Sequence, residues 1–159
     1  MTSEEVAEQA DVVILALPLS KFRNIPKDAL AGKLVIDAMN YWWEVDGDRD
    51  DFIDPKVSSS RAVQDFLSES RVVKALNHMG YHDLLDESRS ESQSGRKAIA
   101  IAGDNQQDVD DVSQLVNNLG FDPLYIGDLD KGKVLEAGGP AFGANVDGKA
   151  LEDLLKQPL

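Results

Sequence analysis

DVVILALP, Asp11–Pro18, is a continuous apolar run rich in β-branched residues and closed by a proline, which has no backbone N–H to donate. Periodicity alone does not separate a buried strand from a buried helical turn, but the length and flanks of this run favour a strand covered on both faces. KLVIDAMN (Lys33–Asn40), RVVKALNH (Arg71–His78) and KAIAIAGD (Lys97–Asp104) repeat the pattern, and DPLYIG (Asp122–Gly127) reads as a fifth, short strand. Between them lie helical stretches. Thr2 and Glu5 have capping-box spacing before Val6 and Ala10, which predicts a short helix at about residues 3–10. Ser58, Ser59 and Ser60 offer N-caps for a helix carrying Val63, Phe66 and Leu67. Val109, Val112, Leu115, Val116 and Leu119 share one helical face, and Gly120 is placed to stop that helix. Weaker helical patterns cover residues 131–137 and 149–156. Apolar strands alternating with amphipathic helices give an α/β fold, a doubly wound parallel sheet of about five strands with helices on both faces.

The remaining composition narrows the function. A chain of 159 residues with 42% hydrophobic side chains is long enough for a core of its own. Its 29 acidic and 16 basic residues give a formal charge of -13, with no basic face to neutralise a phosphate polymer, so nucleic acid and anionic membranes are not expected partners. The longest apolar run is far shorter than a membrane span, and the first ten residues are acidic, so the expected compartment is the cytoplasm. Without cysteine there is neither a disulfide nor a thiolate metal site.

In an open α/β sheet, ligands bind beyond the carboxyl ends of the strands. The first strand ends at Leu17 and Pro18, the second at Asp37, Met39 and Asn40, and the third at Asn77 and His78. Two amides and an imidazole on one rim would offer fixed donors and acceptors to a planar ligand, with His78 exchanging a proton near neutral pH. The competing reading is that Asn and His merely cap loops.

The succession ADVVILALP, KLVIDAMNYW, VVKALNH, then AGDN with a helix and GFDPLYIGDL, resembles the deazaflavin (coenzyme F-420)-dependent NADP oxidoreductase family over about Thr2–Leu129. The resemblance implies a Rossmann-type domain that transfers hydride between a nicotinamide and a deazaflavin or similar flavin-like acceptor. It implies that Leu17 and Pro18 line the nicotinamide ribose, that Asn40 borders the nicotinamide, and that Asn77 and His78 close the hydride-transfer cleft. His78 would there orient the acceptor or buffer a proton. Met79 stands where the family commonly has Thr. Gly103 and Asp104 read as a tight strand exit and a helix N-cap.

The chain departs from that family in its phosphate chemistry. No GxGxxG occurs, and the glycine pair of EAGGPAFG (Glu136–Gly143) follows a helical pattern instead of a strand. The expectation is therefore a Rossmann sheet lacking its glycine-rich half, a truncated chain or a natural half-domain, with the choice between NADP and NAD made in the absent part. Residues 1–129 would be the C-terminal portion of that domain and 130–159 a helical extension packed on it. The first strand would then be an open edge inviting a homodimer. The alternative function is a non-catalytic binding or interaction module.

His78 and His82 are four apart, but Gly80 between them disfavours helix and no third ligand is nominated, so no metal is expected. Asp46, Asp48 and Asp50 open like a calcium loop that then lacks its glycine and its final Glu. Tyr41, Trp42 and Trp43 either stack on a flat ring or anchor a loop, the second being the commoner use of aromatic area.

Overall fold

A computed structural model describes residues 1–158 as a five-stranded sheet in the order β1-β2-β3-β4-β5, formed by Val12–Leu15, Leu34–Asp37, Arg71–Lys74, Ala98–Gly103 and Asp122–Gly127. Six α-helices accompany it among the described residues: α1 Ser3–Gln9, α2 Trp43–Asp46, α3 Ser59–Phe66, α4 Tyr81–Asp86, α5 Gln106–Asn118 and α6 Gly148–Leu155. The α/β, Rossmann-like class holds. No helix among the described residues is long and apolar enough to cross a membrane.

One expectation about the sheet is corrected. β1, β2 and β3 are parallel, as are β4 and β5, but β4 runs antiparallel to β3 with Val73 opposite Gly103 and Lys74 opposite Ala102. A parallel crossover needs a helix that packs back along the sheet. Between β3 and β4 the chain offers only α4, six residues with none buried. The chain therefore stays at the carboxyl end of β3, and β4 returns alongside it. The rim of strand ends is thus built by β1, β2 and β3 alone.

Each face has its own core. On one, Leu15, Val35 and Val72 pack with Ala7 of α1, Val63 of α3 and Phe22 and Leu30 from the 3-10 turns Leu19–Asn24 and Lys27–Leu30. On the other, Ile36, Val73, Ile99 and Ile101 pack with Val109, Val112 and Val116 of α5. Beyond the first core, Ala98 and Ala100 meet Leu135, Ala141 and Leu151, so the segment after residue 129 supplies core side chains to β4.

Sequence signals account for the helix ends. The Thr2–Glu5 capping box is formed, with Thr2 Oγ1 accepting from the Glu5 N–H and Glu5 accepting from the Thr2 N–H. Ser58 caps α3 through the Arg61 N–H. The cap of α5 is Asn105, one residue later than expected, because Asp104 is engaged elsewhere. Gly103 does provide a tight exit: a Cβ there would come within 2.9 Å of the Val109 side chain.

β1 is an edge, but it is not covered on both faces. Val13 and Leu15 point into the first core, while Val12 and Ile14 are 37% and 47% exposed on the opposite face, which α5 does not reach. The apolar run that reads as a doubly buried strand is buried on one side only.

Candidate functional site

The loops after β1, β2 and β3 converge on one cleft. Its larger lobe, about 750 Å³, is bounded by Ile14, Ala16, Asn40, Asn77, His78 and the aromatic rings of Trp42, Tyr81 and Phe142. A smaller adjoining lobe of about 390 Å³ is bounded by Leu17, Pro18, Asn40 and Asp46. Ala16, Ala38, Asn40, Trp42 and Tyr81 border both. Leu17 and Pro18 therefore lie on one side of the cleft, Asn77 and His78 on the other, and Asn40 at the junction.

Asn40 and Asn77 form a reciprocal pair. Asn40 Nδ2 donates to the Asn77 carbonyl at 2.8 Å, and Asn77 Nδ2 donates to Asn40 Oδ1 at 3.1 Å and to the Leu135 carbonyl at 2.8 Å. Both acceptors of Asn77 Nδ2 are oxygens, which fixes the orientation of its amide. Asn77 is buried and its Oδ1 has no partner, whereas Asn40 is partly exposed at the cleft.

Beneath this pair lies a buried ion pair. Asp37 and Lys74 occupy facing register positions on β2 and β3, with Nζ and Oδ2 3.4 Å apart and both side chains fully buried. Asp37 Oδ1 accepts from the Met39 N–H at 2.9 Å, Lys74 donates to the Met39 carbonyl at 2.7 Å, and Ser60 Oγ donates to Asp37 Oδ2 at 2.7 Å. Sequence reading places Asp37 at a strand end but passes over Lys74, which looks like the polar end of an apolar strand.

His78 takes a different role from the one its type suggests. It is 1% exposed, and its Nε2 accepts the Ala100 N–H at 3.0 Å, just past the point where β3 stops pairing with β4. The imidazole thus replaces a missing rung of the sheet. An accepting Nε2 puts the hydrogen of the neutral ring on Nδ1, which has no hydrogen-bond partner. Burial lowers the pKa to about 4, the Ala144 backbone opposing it without completing a hydrogen bond. His78 is therefore neutral at pH 7, and the expected proton exchange near neutrality is corrected: an imidazole with no access to water does not buffer there.

Asp46 was read only as part of a calcium-like run, yet it ties two rim loops together. Its oxygens accept the Ser20 N–H at 2.9 Å and the Trp42 N–H at 2.8 Å. Burial raises its pKa, but these hydrogen bonds outweigh burial and hold it below the ordinary value. Tyr41 anchors its loop, its ring against Phe52 and its hydroxyl donating to the Gly47 carbonyl, while Trp42 is exposed and meets Phe142 edge-on at the cleft.

At the start of α3 and just ahead of α5 the protein pairs its own charges. At the start of α3 the Ser59 N–H donates to Glu136 Oε1 at 2.7 Å, and Arg49 pairs with the same carboxylate at 3.3 Å. Arg61 bridges Asp104 and Asp130, and its guanidinium holds Asp104 below its ordinary pKa. Asp104 also accepts the Leu129 N–H, which is why it does not cap α5. His82 is exposed on α4, away from the buried His78, and among the described residues no group of three or more His, Asp or Glu could hold a metal ion.

Residues 1–41 match the family described as NADP oxidoreductase, coenzyme F420-dependent, which bears out the resemblance carried by ADVVILALP and KLVIDAMN. No curated protein matches the sequence. Among solved structures, a hypothetical protein, SMa0349, from Sinorhizobium meliloti superposes with a TM-score of 0.76 and 26% identity, over 90% of this chain and 69% of its own. A putative F420-dependent NADP-reductase from Arthrobacter sp. FB24 gives 0.70 and 23%, over 84% of this chain and 62% of its own. A pyrroline-5-carboxylate reductase from Coxiella burnetii gives 0.52 and 15%, over 84% and 42%. At such identities the last two share the fold. The chain spans about two thirds of the length of the first two.

Proposed function

We infer that this chain is a member of the coenzyme F420-dependent NADP oxidoreductase family, and that its cleft takes the nicotinamide end of NADP beside a deazaflavin or similar flat acceptor. The observation that carries the reading is the cleft itself, in which the loops after three parallel strands present one partly exposed amide, Asn40, to an apolar space walled by aromatic rings. Bound there, the nicotinamide supplies the hydride, so no side chain has to act as a nucleophile. The residues of this chain bind and orient. Leu17 and Pro18 would line the ribose side, Asn40 would hydrogen-bond the ring substituent, and Asn77 and His78 would shape the acceptor side.

The fit is good for the nicotinamide and poor for the pyrophosphate. These 159 residues contain no strand, glycine-rich turn and helix to offer backbone donors and a helix dipole to two phosphates. The N-terminus of α3 is already filled by Glu136. A net charge of -13 adds an unfavourable field for an anionic cofactor. A few hydrogen bonds of roughly 0.5–1.5 kcal/mol each do not overcome the entropy of association. Fluorescence titration of residues 1–159 with NADPH is accordingly expected to give a dissociation constant of about 1 mM or weaker, equivalent to about 4 kcal/mol. Fusing a glycine-rich strand-turn-helix half ahead of β1 should tighten it, and Asn40→Ala should then weaken it again. Micromolar binding by the unfused chain would overturn this division of labour.

The open edge of β1 favours a second reading, that of an interaction module. Val12 and Ile14 expose an apolar, uncharged strand whose outer backbone groups have no partner in the sheet. Such edges are normally covered, and a second copy pairing along β1 would cover this one. Sedimentation velocity at increasing concentration should show a dimer, and Ile14→Lys should weaken it about tenfold by placing a charge in the contact. A monomer throughout the concentration range, with fast amide exchange along Val12–Leu15, would remove this reading.

A further inference from the structure

The geometry points to Asp37 and Lys74 as positioning residues for Asn40, an inference that rests on the cleft being the ligand site. Each lies three residues before an asparagine of the pair, Asp37 before Asn40 and Lys74 before Asn77, on adjacent strands in register. Together they hold the Met39 residue from both sides, its N–H by Asp37 Oδ1 and its carbonyl by Lys74 Nζ. The next side chain along is Asn40. The two strand ends are therefore tied twice, by the ion pair below and by the asparagine pair above, with the backbone of Met39 between the two ties.

Three further features belong to the same device. Ser60 Oγ donates to Asp37 Oδ2, the oxygen that also faces Lys74. Gly132 lets the 3-10 turn Leu129–Leu135 lie against the Lys74 stem, where a Cβ would come within 3.3 Å of Cγ, and that turn carries the Leu135 carbonyl that orients Asn77. Leu76, between Lys74 and Asn77, has a φ of 69°, a left-handed conformation that a leucine adopts at a cost and keeps only when its surroundings impose it.

A role in stability alone does not explain this arrangement. Removing two charges from water is costly, and apolar residues of similar volume commonly serve a fold as well or better than a buried pair. What apolar residues cannot do is hold a particular peptide group at both its N–H and its neighbouring carbonyl. The pair is placed where that hold decides the position of the one amide facing the cleft.

The test is hydrogen exchange of the Asn40 and Asn77 side-chain amides, followed by nitrogen-15 NMR in the full chain, with amides of β4 and β5 as the internal control. In the double variant Asp37→Leu/Lys74→Met, which leaves no buried charge unpaired, the two asparagine amides should exchange at least about tenfold faster while β4 and β5 keep their protection. If the double variant does not fold, Ser60→Ala, which removes one donor from Asp37 Oδ2 and keeps the charges paired, should give a smaller acceleration of about threefold at the same two amides. Unchanged exchange at Asn40 and Asn77 in a folded variant overturns the positioning role. Faster exchange in a protein that binds no NADPH, even when fused to a glycine-rich half, upholds the positioning role and sinks the nicotinamide reading instead.

Discussion

Lys74→Met alone is expected to cost about 3–5 kcal/mol of folding stability, measured as the loss in unfolding free energy in urea at pH 7. The substitution keeps most of the volume of the side chain, so packing is nearly conserved. What it removes is the cation paired with Asp37, a carboxylate with no exposure to water. Ser60 Oγ and the Met39 N–H remain as donors to that carboxylate, which keeps the loss below the idealised cost of an isolated buried charge. The Met39 carbonyl meanwhile loses its donor. Adding Asp37→Leu to Lys74→Met should recover part of the loss, because the uncompensated charge leaves with the carboxylate while the unpaired peptide groups stay. A loss under about 1 kcal/mol for the single variant would place the pair in contact with water and remove the basis for treating it as a rigid tether.

Lys74 also shows what sequence patterning does and does not carry. RVVK reads as a strand because Val72 and Val73 face opposite cores, and that reading is right. A lysine at the end of such a run ordinarily reaches water. It is buried here because the 3-10 turn Leu129–Leu135 covers it, and that turn lies 55 or more positions away in sequence. Local signals behaved differently. The Thr2–Glu5 box, the Ser58 cap and the face of α5 each depend on residues near in sequence, and each is present, except that Leu119 falls past the end of α5 and is exposed. The short helices α2 and α4 were not legible, since neither buries a residue and neither is long enough to be stable from propensity. The direction of β4 followed from that same blind spot: alternating strands and helices were read as a parallel sheet throughout, although no helical pattern fills the stretch between β3 and β4. Leu17, Pro18, Asn40, Asn77 and His78, read as strand ends, lie in the loops two to four residues beyond β1, β2 and β3 and border one cleft. The chemistry of His78 was not legible, because it depends on a neighbouring strand that leaves the Ala100 N–H unpaired by backbone.

That buried imidazole makes the fold sensitive to mild acid. The ordinary histidine pKa is 6.5, which describes the unfolded chain, and burial lowers it to about 4 in the folded protein. A folded pKa below the unfolded one means that the unfolded state takes up the proton more readily. The stabilisation is therefore complete above pH 6.5 and is lost as the pH falls from there toward 4. The difference corresponds to about 3 kcal/mol, with a slope approaching 1.4 kcal/mol for each pH unit in the middle of the window. Asp46 and Asp104, both held below their ordinary pKa of 3.8, act in the same direction but only at lower pH, so they do not account for a fall between 6.5 and 4.5. Urea unfolding at pH 7.0, 6.0, 5.0 and 4.5 should show this decline, and His78→Gln, with nothing to titrate at that position, should flatten it while lowering stability at pH 7 through the altered bond to Ala100. A wild-type profile flat between pH 6.5 and 4.5 would mean that His78 reaches water or finds a partner for its Nδ1 hydrogen. With the profile as expected, the imidazole is neutral throughout the range in which the cleft would work. Ligand binding there should then show no step attributable to His78 between pH 5 and 8, which leaves Asn40 to set the polar contact.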